Sequence, residues 1–391
     1  MDPEGLLLPE GTRLLHIGPP KTGSTAIQAA LRAARPRLAE HGVCYPGSRH
    51  RARRPGWAVL GWNSRWRPNV PIEEWYAFVE EVRAAGEQRV CISTEDFGRA
   101  SKTQAARIVE DLGGERVHVV AVARRLDKFL PSQWQERVKH AEHRSYEEWL
   151  HHILGDPPGK RAANTFWASQ THNIVRIAER WVAAVGEDRF TLVVSDESDR
   201  AALPRTFERM LGLPQDMLRL NSNSNTSLSM NGTELVRRLN LTFAERGWTD
   251  TTYSDLILQG LVPGMQRAAR TSRDRRIPPL PAWAAERVAQ LSAQRVADLD
   301  ALGCRVVGDP KNLLVDPEFA DVEDYSAEDI SVELALRAVE GTVERAVARQ
   351  DKLRAVQAER SAAARRTVDN TGSRDLLRVV AGRVAGRVRR G

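Results

Sequence analysis

Apolar and polar positions alternate between two periods along the first two thirds of this chain, and the pattern predicts a series of strands and helices. Arg13-Leu14-Leu15-His16-Ile17-Gly18 is a short apolar run closed by Pro19-Pro20, which reads as a buried strand. Lys21-Thr22-Gly23-Ser24-Thr25 follows, and then a helix-forming stretch over residues 26–34 with Ile27 and Leu31 one turn apart. Arg89-Val90-Cys91-Ile92-Ser93 predicts a second strand that breaks into Thr94-Glu95-Asp96-Phe97, with a helix over about residues 102–112. Residues 116–123 form a near-continuous β-branched run of the kind found in strands buried on both faces, ending at Arg124-Arg125. A helix is expected over 128–140 and another over 171–185, then a strand at 190–194. Residues 200–300 read as mostly helical, and 304–308 as a late short strand. Strands alternating with helices predict an α/β fold, a central and mainly parallel sheet flanked by helices. Ligands of such sheets bind at the carboxyl ends of strands, where Lys21, Glu95 and Arg124 all fall.

Charge changes the picture only at the end of the chain. The 391 residues carry 58 Lys and Arg against 51 Asp and Glu, a formal charge of +7 that first points to nucleic acid. Residues 331–391 hold 14 basic and 7 acidic side chains and no aromatic one, which leaves residues 1–330 with 44 of each. The excess belongs to a tail, so no nucleic-acid groove is expected in the body. No apolar run approaches the roughly 20 residues that span a bilayer. The acidic start Met1-Asp2-Pro3-Glu4 lacks a basic signal-peptide region, and a cytoplasmic location is expected. Cys44, Cys91 and Cys304 are isolated, and His140, His143 and His151-His152 lack partners in ligand register, so no metal is expected. Only seven basic residues are lysines, which makes Lys21 a rare choice.

The candidate chemistry starts at residues 20–25. A small-residue loop between a strand and a helix aims backbone N–H groups and the positive helix end at one anion. Lys21 adds a charge, and Thr22, Ser24 and Thr25 add hydroxyls. A Walker A loop would place its lysine after the second glycine, whereas Lys21 precedes Gly23. Pro20-Lys21-Thr22-Gly23-Ser24-Thr25 directly after the first strand resembles the 5′-phosphosulfate loop of sulfotransferases that use 3′-phosphoadenylyl sulfate (PAPS). A second motif is similar to the same family: a strand ending in Arg124, with Ser132 eight residues later on the following helix. The family usually has proline two residues after that arginine, where this chain has Leu126. Further similar stretches are 38–47, 92–97, 135–139, 181–197 and 305–314, so the resemblance spans roughly residues 11–315.

The resemblance implies a P-loop-containing nucleoside triphosphate hydrolase-like core over residues 1–315; outside it, residues 316–391 read from composition as an acidic linker and then a basic tail, helical or partly disordered. It implies that Lys21 stabilises the leaving group, that Thr22, Gly23, Ser24 and Thr25 hold the 5′-phosphate, and that Arg124 and Ser132 hold the 3′-phosphate. The family places its base at the end of the strand before the arginine-ended strand, which implies Glu95 here, with His50 as a second candidate base or acceptor contact; the other reading of Glu95 or Asp96 is a cap on the next helix. Sulfuryl transfer of this kind needs no metal. The C-terminal Arg-Lys-Gly motif of small-molecule sulfotransferases is missing, which leaves the Arg267–Arg276 loop as the candidate for closing over the nucleotide. The 223–227 loop reads either as a 3′-phosphate contact or as a solvated turn.

Trp57, Trp62, Trp66 and Trp75 lie among five arginines over residues 50–76, a composition suited to a saccharide, glycolipid or other glycoconjugate acceptor, with core packing expected for at least two of the four. In the tail, Leu336, Val339, Val343, Val347 and Leu353 recur at helical spacing, which reads as a weak oligomerisation or docking helix. Residues 374–390 read either as a basic amphipathic segment suited to the inner membrane surface or as a solubilising tail. Two competing classes stay open on sequence alone: a P-loop kinase or NTPase, and a non-catalytic nucleotide-binding scaffold.

Overall fold

A computed structural model describes residues 5–47, 52–61, 69–155, 173–220, 227–268, 277–316, 329–370 and residue 378. In chain order the elements begin β1 (Arg13–His16), α1 (Ser24–Glu40), β2 (Val43–Cys44), α2 (Arg53–Leu60), α3 (Glu73–Ala84) and β3 (Arg89–Ser93). They continue with α4 (Lys102–Asp111), β4 (Val117–Ala123), α5 (Leu126–Lys139), α6 (Tyr146–Leu154), α7 (Ile174–Val185) and β5 (Phe190–Val194). Then come α8 (Ala202–Leu211), α9 (Met230–Glu245), α10 (Asp250–Thr252), α11 (Val262–Arg267), α12 (Ala282–Asp300), β6 (Arg305–Val307) and α13 (Val332–Asn370). A π-helical stretch, Tyr253–Leu261, joins α10 to α11. No helix among the described residues is long and apolar enough to cross a membrane.

The chain divides into two compact units. The first comprises residues 1–250 and 270–331. It is built on a six-stranded sheet in the order β2-β3-β1-β4-β5-β6, and every neighbouring pair is parallel. This is the parallel α/β arrangement expected from the alternation of elements. All seven residues of β4 are buried, because helices cover both faces of a parallel sheet. Side-chain alternation along the strands sorts the core into two layers. Leu15, Ile92, Val119 and Ala121 face one layer with Trp75, Phe97, Ile177 and Trp181. Leu14, Cys91, Val120 and Val122 face the other, with Ile27 and Leu31 of α1 and Phe207 and Met210 of α8.

Strand order reverses at β1. From β1 the chain goes to the edge at β2 and returns inward to β3, then crosses to β4 on the other side of β1 and runs outward through β5 and β6. Such a reversal opens a crevice beyond the carboxyl ends of the central strands. Lys21 follows β1, Glu95 follows β3 and Arg124 follows β4, so the three residues leave three adjacent strands.

The second unit comprises residues 251–269 and 332–391. Glycines let its helices touch backbone to backbone. A Cβ on Gly264 would lie 2.1 Å from the Arg337 carbonyl oxygen, and one on Gly341 would lie 2.4 Å from that of Gly260. Asp255 anchors the pair through Arg345 and Arg349, and Arg267 bonds Glu344 at 2.7 Å. The packed face of α13 carries Leu334 and Ala338. The stripe Leu336, Val339, Val343, Val347 and Leu353 is 48–61% exposed in the single chain and lies away from that packed face. Residues 374–390 lie outside the described residues apart from Arg378.

Two histidines buried in the first unit couple its stability to acid. His16 is wholly buried, and burial lowers its pKa from 6.5 to about 4. His118 is lowered to about 4 by burial, and then by Arg305 and Arg189; it bonds Thr191 Oγ1 at 2.8 Å. Both groups bind protons more readily when unfolded. Stability is therefore full above pH 6.5 and falls as the pH drops toward 4, by at most about 3 kcal/mol for each histidine. Urea unfolding at pH 7.5 and pH 5 is expected to show the drop, and His16→Gln or His118→Gln should each flatten it. A slope unchanged in both variants would mean that other groups take up the protons.

Candidate functional site

The loop after β1 is shaped by glycines where a side chain would not fit. Gly18 has φ +84, and a Cβ there would lie 2.7 Å from Glu95 Cβ, so the loop rests directly on the end of β3. Gly23 caps α1 in the left-handed region, φ 98, with no side-chain cap. A Cβ there would also press on Leu203 at 3.0 Å. Some helix starts are closed by side chains, as Ser101 does for α4, Ser145 for α6 and Asn173 for α7, whereas α1, like α2, α8 and α12, has no side-chain cap. At α1 no such group competes for the first amides, and the first turn holds no carboxylate. The positive end of this helix is thus left open to an anion. Ser24 Oγ is buried there without a partner. The Thr22 hydroxyl is turned inward, donating to the Pro19 carbonyl at 2.7 Å, so it braces the loop.

Lys21 has φ +70 and its Nζ lies 3.0 Å from Glu136 Oε2 on α5. The same carboxylate oxygen takes Lys139 at 3.3 Å, and His140 Nδ1 lies 3.8 Å from the other. Burial acts to raise the Glu136 pKa, but Lys139, Lys21 and His140 outweigh it and hold the group well below the usual carboxylate range. Glu136 is therefore held as an anion at neutral pH.

Arg124 ties the two anion motifs together. Its Nη1 donates to the Lys21 carbonyl at 3.0 Å, while Nε and Nη2 pair with Glu197 at 2.5 and 3.0 Å. The Arg124 carbonyl in turn accepts from Arg295 Nη1 at 3.1 Å. Arg295 is buried on α12, and burial lowers its pKa to about 10. Ser132 lies half-buried in the second turn of α5.

Glu95 and Asp96, adjacent in sequence, have separate environments. Asp96 is buried, accepting from the Trp57 indole at 2.9 Å with Arg53 Nε 3.9 Å away. That fixes α2 against the end of β3 and makes Asp96 structural. Glu95 faces the loop and accepts from Gln28 Nε2 of α1 at 3.0 Å. The same Gln28 nitrogen also reaches Ser93 Oγ at 3.2 Å, which bonds His16 Nδ1 at 2.8 Å. A row of polar groups thus runs beneath the loop from His16 to Glu95. The buried histidine is neutral above about pH 4 and orients the row without adding charge.

Lys21, Glu95 and Arg124 are accordingly gathered on three adjacent strand ends, with Thr22, Gly23, Ser24, Thr25 and Ser132 on the loop and helices that follow. His50, most of the 223–227 loop and the 269–276 part of the Arg-rich loop lie outside the described residues. Trp57 and Trp75 are core side chains; Trp75 donates to Asp111 at 2.7 Å, so neither offers a stacking surface. Trp62 and Trp66 lie outside the described residues. No group of three or more His, Cys, Asp or Glu that could hold a metal occurs among the described residues.

Sequence reasoning missed Gln28, Glu136, Glu197 and Arg295. Two left a usable signal: Gln28 lies four residues after Ser24 on α1, and Glu136 four after Ser132 on α5, each on the same helix face. Glu197, the last residue of the family-like stretch 181–197, and Arg295 reach Arg124 from distant segments, and nothing local pairs either with it.

No protein-family model matches this chain, and no curated protein matches it. Among solved structures, a sulfotransferase from Alicyclobacillus acidocaldarius is similar to 64% of this chain and 98% of its own, at 12% identity and a TM-score of 0.37.

Proposed function

We propose that the protein is a PAPS-dependent sulfotransferase acting on a hydroxyl or amine of an acceptor. The observation that carries this is the 3.0 Å bond from Arg124 Nη1 to the Lys21 carbonyl. Two anion motifs about a hundred residues apart meet there on neighbouring parallel strands, as one elongated nucleotide with a phosphate at each end requires. The donor is a substrate that brings its own leaving group, a nucleotide carrying the sulfuryl group. The open start of α1 and the unpartnered Ser24 hydroxyl suit its 5′-phosphate. The Arg124 fork and the Ser132 hydroxyl suit its 3′-phosphate.

Lys21 steadies the negative charge that develops on the oxygen leaving the sulfur. Glu95, held by Gln28, takes the acceptor proton. The acceptor is a saccharide, glycolipid or other small molecule. With Trp57 and Trp75 in the core, Trp62 and Trp66 remain as candidate platforms for a sugar ring. Sulfate transfer from labelled PAPS across glycans, glycolipids and phenols identifies the acceptor class.

Calorimetric titration with 3′,5′-ADP, 5′-AMP and Mg-ATP tests the donor assignment. The protein is expected to bind 3′,5′-ADP well ahead of the other two. Arg124→Ala should remove about 1.5–3 kcal/mol of binding from 3′,5′-ADP and little from 5′-AMP. Preference for Mg-ATP would favour the kinase or NTPase class, and equal binding of 3′,5′-ADP and 5′-AMP would exclude the role given to Arg124.

A further inference from the structure

We propose that Glu197 and Glu136 are exchange counter-ions of the donor site. Each holds one of its two cations in the free protein, and each yields that cation to the incoming anion. This rests on the donor assignment above and concerns what sets donor affinity.

Glu197 lies just beyond β5 and meets Arg124 fork to fork, both side chains being about a quarter to a third exposed. With Nη1 bonded to the Lys21 carbonyl, three of the five N–H donors of the guanidinium are engaged. A phosphate has two routes. It can displace Glu197 from the Nε and Nη2 edge, or it can dock on the two remaining donors beside a carboxylate of like charge. Both routes lower the net gain from a 3′-phosphate, whereas a neutral 3′-hydroxyl neither displaces the carboxylate nor meets like-charge repulsion. Glu197 thus tempers the grip on the 3′-phosphate. By returning to Arg124 it also compensates the cation when the spent nucleotide leaves. An arginine left unpaired in this half-buried place would hold the product longer.

Glu136 stands in the same relation to Lys21, with one difference. Lys139 and His140 stay on the carboxylate when Lys21 departs. Lys139 is 13% exposed and Glu136 35%, so the anion left behind remains paired and partly shielded from water. The exchange at Lys21 therefore strands no charge.

The two carboxylates are distinguishable by ligand. In full-length Glu197→Gln protein, affinity for 3′,5′-ADP is expected to rise about five- to tenfold, mostly through slower dissociation, with 5′-AMP unchanged. In Glu136→Gln, which frees Lys21 at the 5′ end, affinity for both nucleotides is expected to rise by similar factors. Glu197→Ala repeats the first measurement without the amide, and thermal melting confirms that each variant folds. The proposal is overturned if Glu197→Gln binds 3′,5′-ADP no better than the parent, or if it gains equally for 5′-AMP. Unchanged or weaker binding of both nucleotides by Glu136→Gln overturns the Lys21 half. If the parent protein itself ignores the 3′-phosphate, the donor assignment fails instead. Inorganic phosphate then serves as the probe: tighter phosphate binding in both variants still supports the exchange, and unchanged binding overturns it.

Discussion

Lys21→Ala is expected to lower sulfuryl transfer by about 10²–10³-fold while leaving the fold intact, the usual size for removing one group aimed at developing charge. The fold should survive because the Lys21 side chain is 27% exposed and its carboxylate partner keeps Lys139 and His140. Alanine also meets the same φ of +70 that lysine already tolerates, so the backbone gains no new strain. The loss should fall on kcat more than on KM, since the ammonium acts on charge that appears during transfer. Lys21→Arg keeps the charge and changes its shape and reach, so it should recover only part of the rate. The measurement is transfer from labelled PAPS under saturating donor. Full activity in Lys21→Ala would remove Lys21 from the chemistry and return the loop to a purely structural role.

Glu95→Gln is the second large effect, about 10²–10⁴-fold on transfer, the range of a positioned general base. An amide at residue 95 can still bond Gln28, so folding and donor binding should stay close to those of the parent. Glu95→Asp shortens the side chain and draws its carboxylate away from Gln28, and should also be slow. The neighbouring Asp96→Asn should instead weaken stability, because Asp96 takes the Trp57 indole and lies beside Arg53. This contrast separates the proposed catalytic carboxylate from a structural one on the next residue. If Glu95→Gln transfers normally and His50→Ala does not, the base is His50.

How much of this was legible beforehand depended on whether the cause was local. The run at 116–123 reads as a strand buried on both faces, and all of β4 is buried. The loop at 20–25 reads as an anion cradle because glycine, small hydroxyl residues and a lysine are contiguous, and the open helix start is found there. Residues 53–60 and 73–84 were legible only as a mixture of tryptophan and arginine; they form α2 and α3, and burial of Trp57 and Trp75 depends on Asp96 and Asp111 elsewhere in the chain. In the tail, the apolar spacing indicated the helix, and its stripe is exposed in the single chain. The packed face is set by Gly341, whose role is visible only beside Gly260 and Gly264.

The sequence by itself determined the strand and helix alternation, the loop chemistry around Lys21, and the placing of Arg124 at a strand end. Those follow from period, glycine and charge within a few residues of one another. Only the tertiary structure decided that β1, β3 and β4 are neighbours, that Gln28 aims at Glu95, and that Glu136 and Glu197 hold the two cations. Those contacts join residues 67 to 115 positions apart, where strand order rather than local pattern sets which side chains meet.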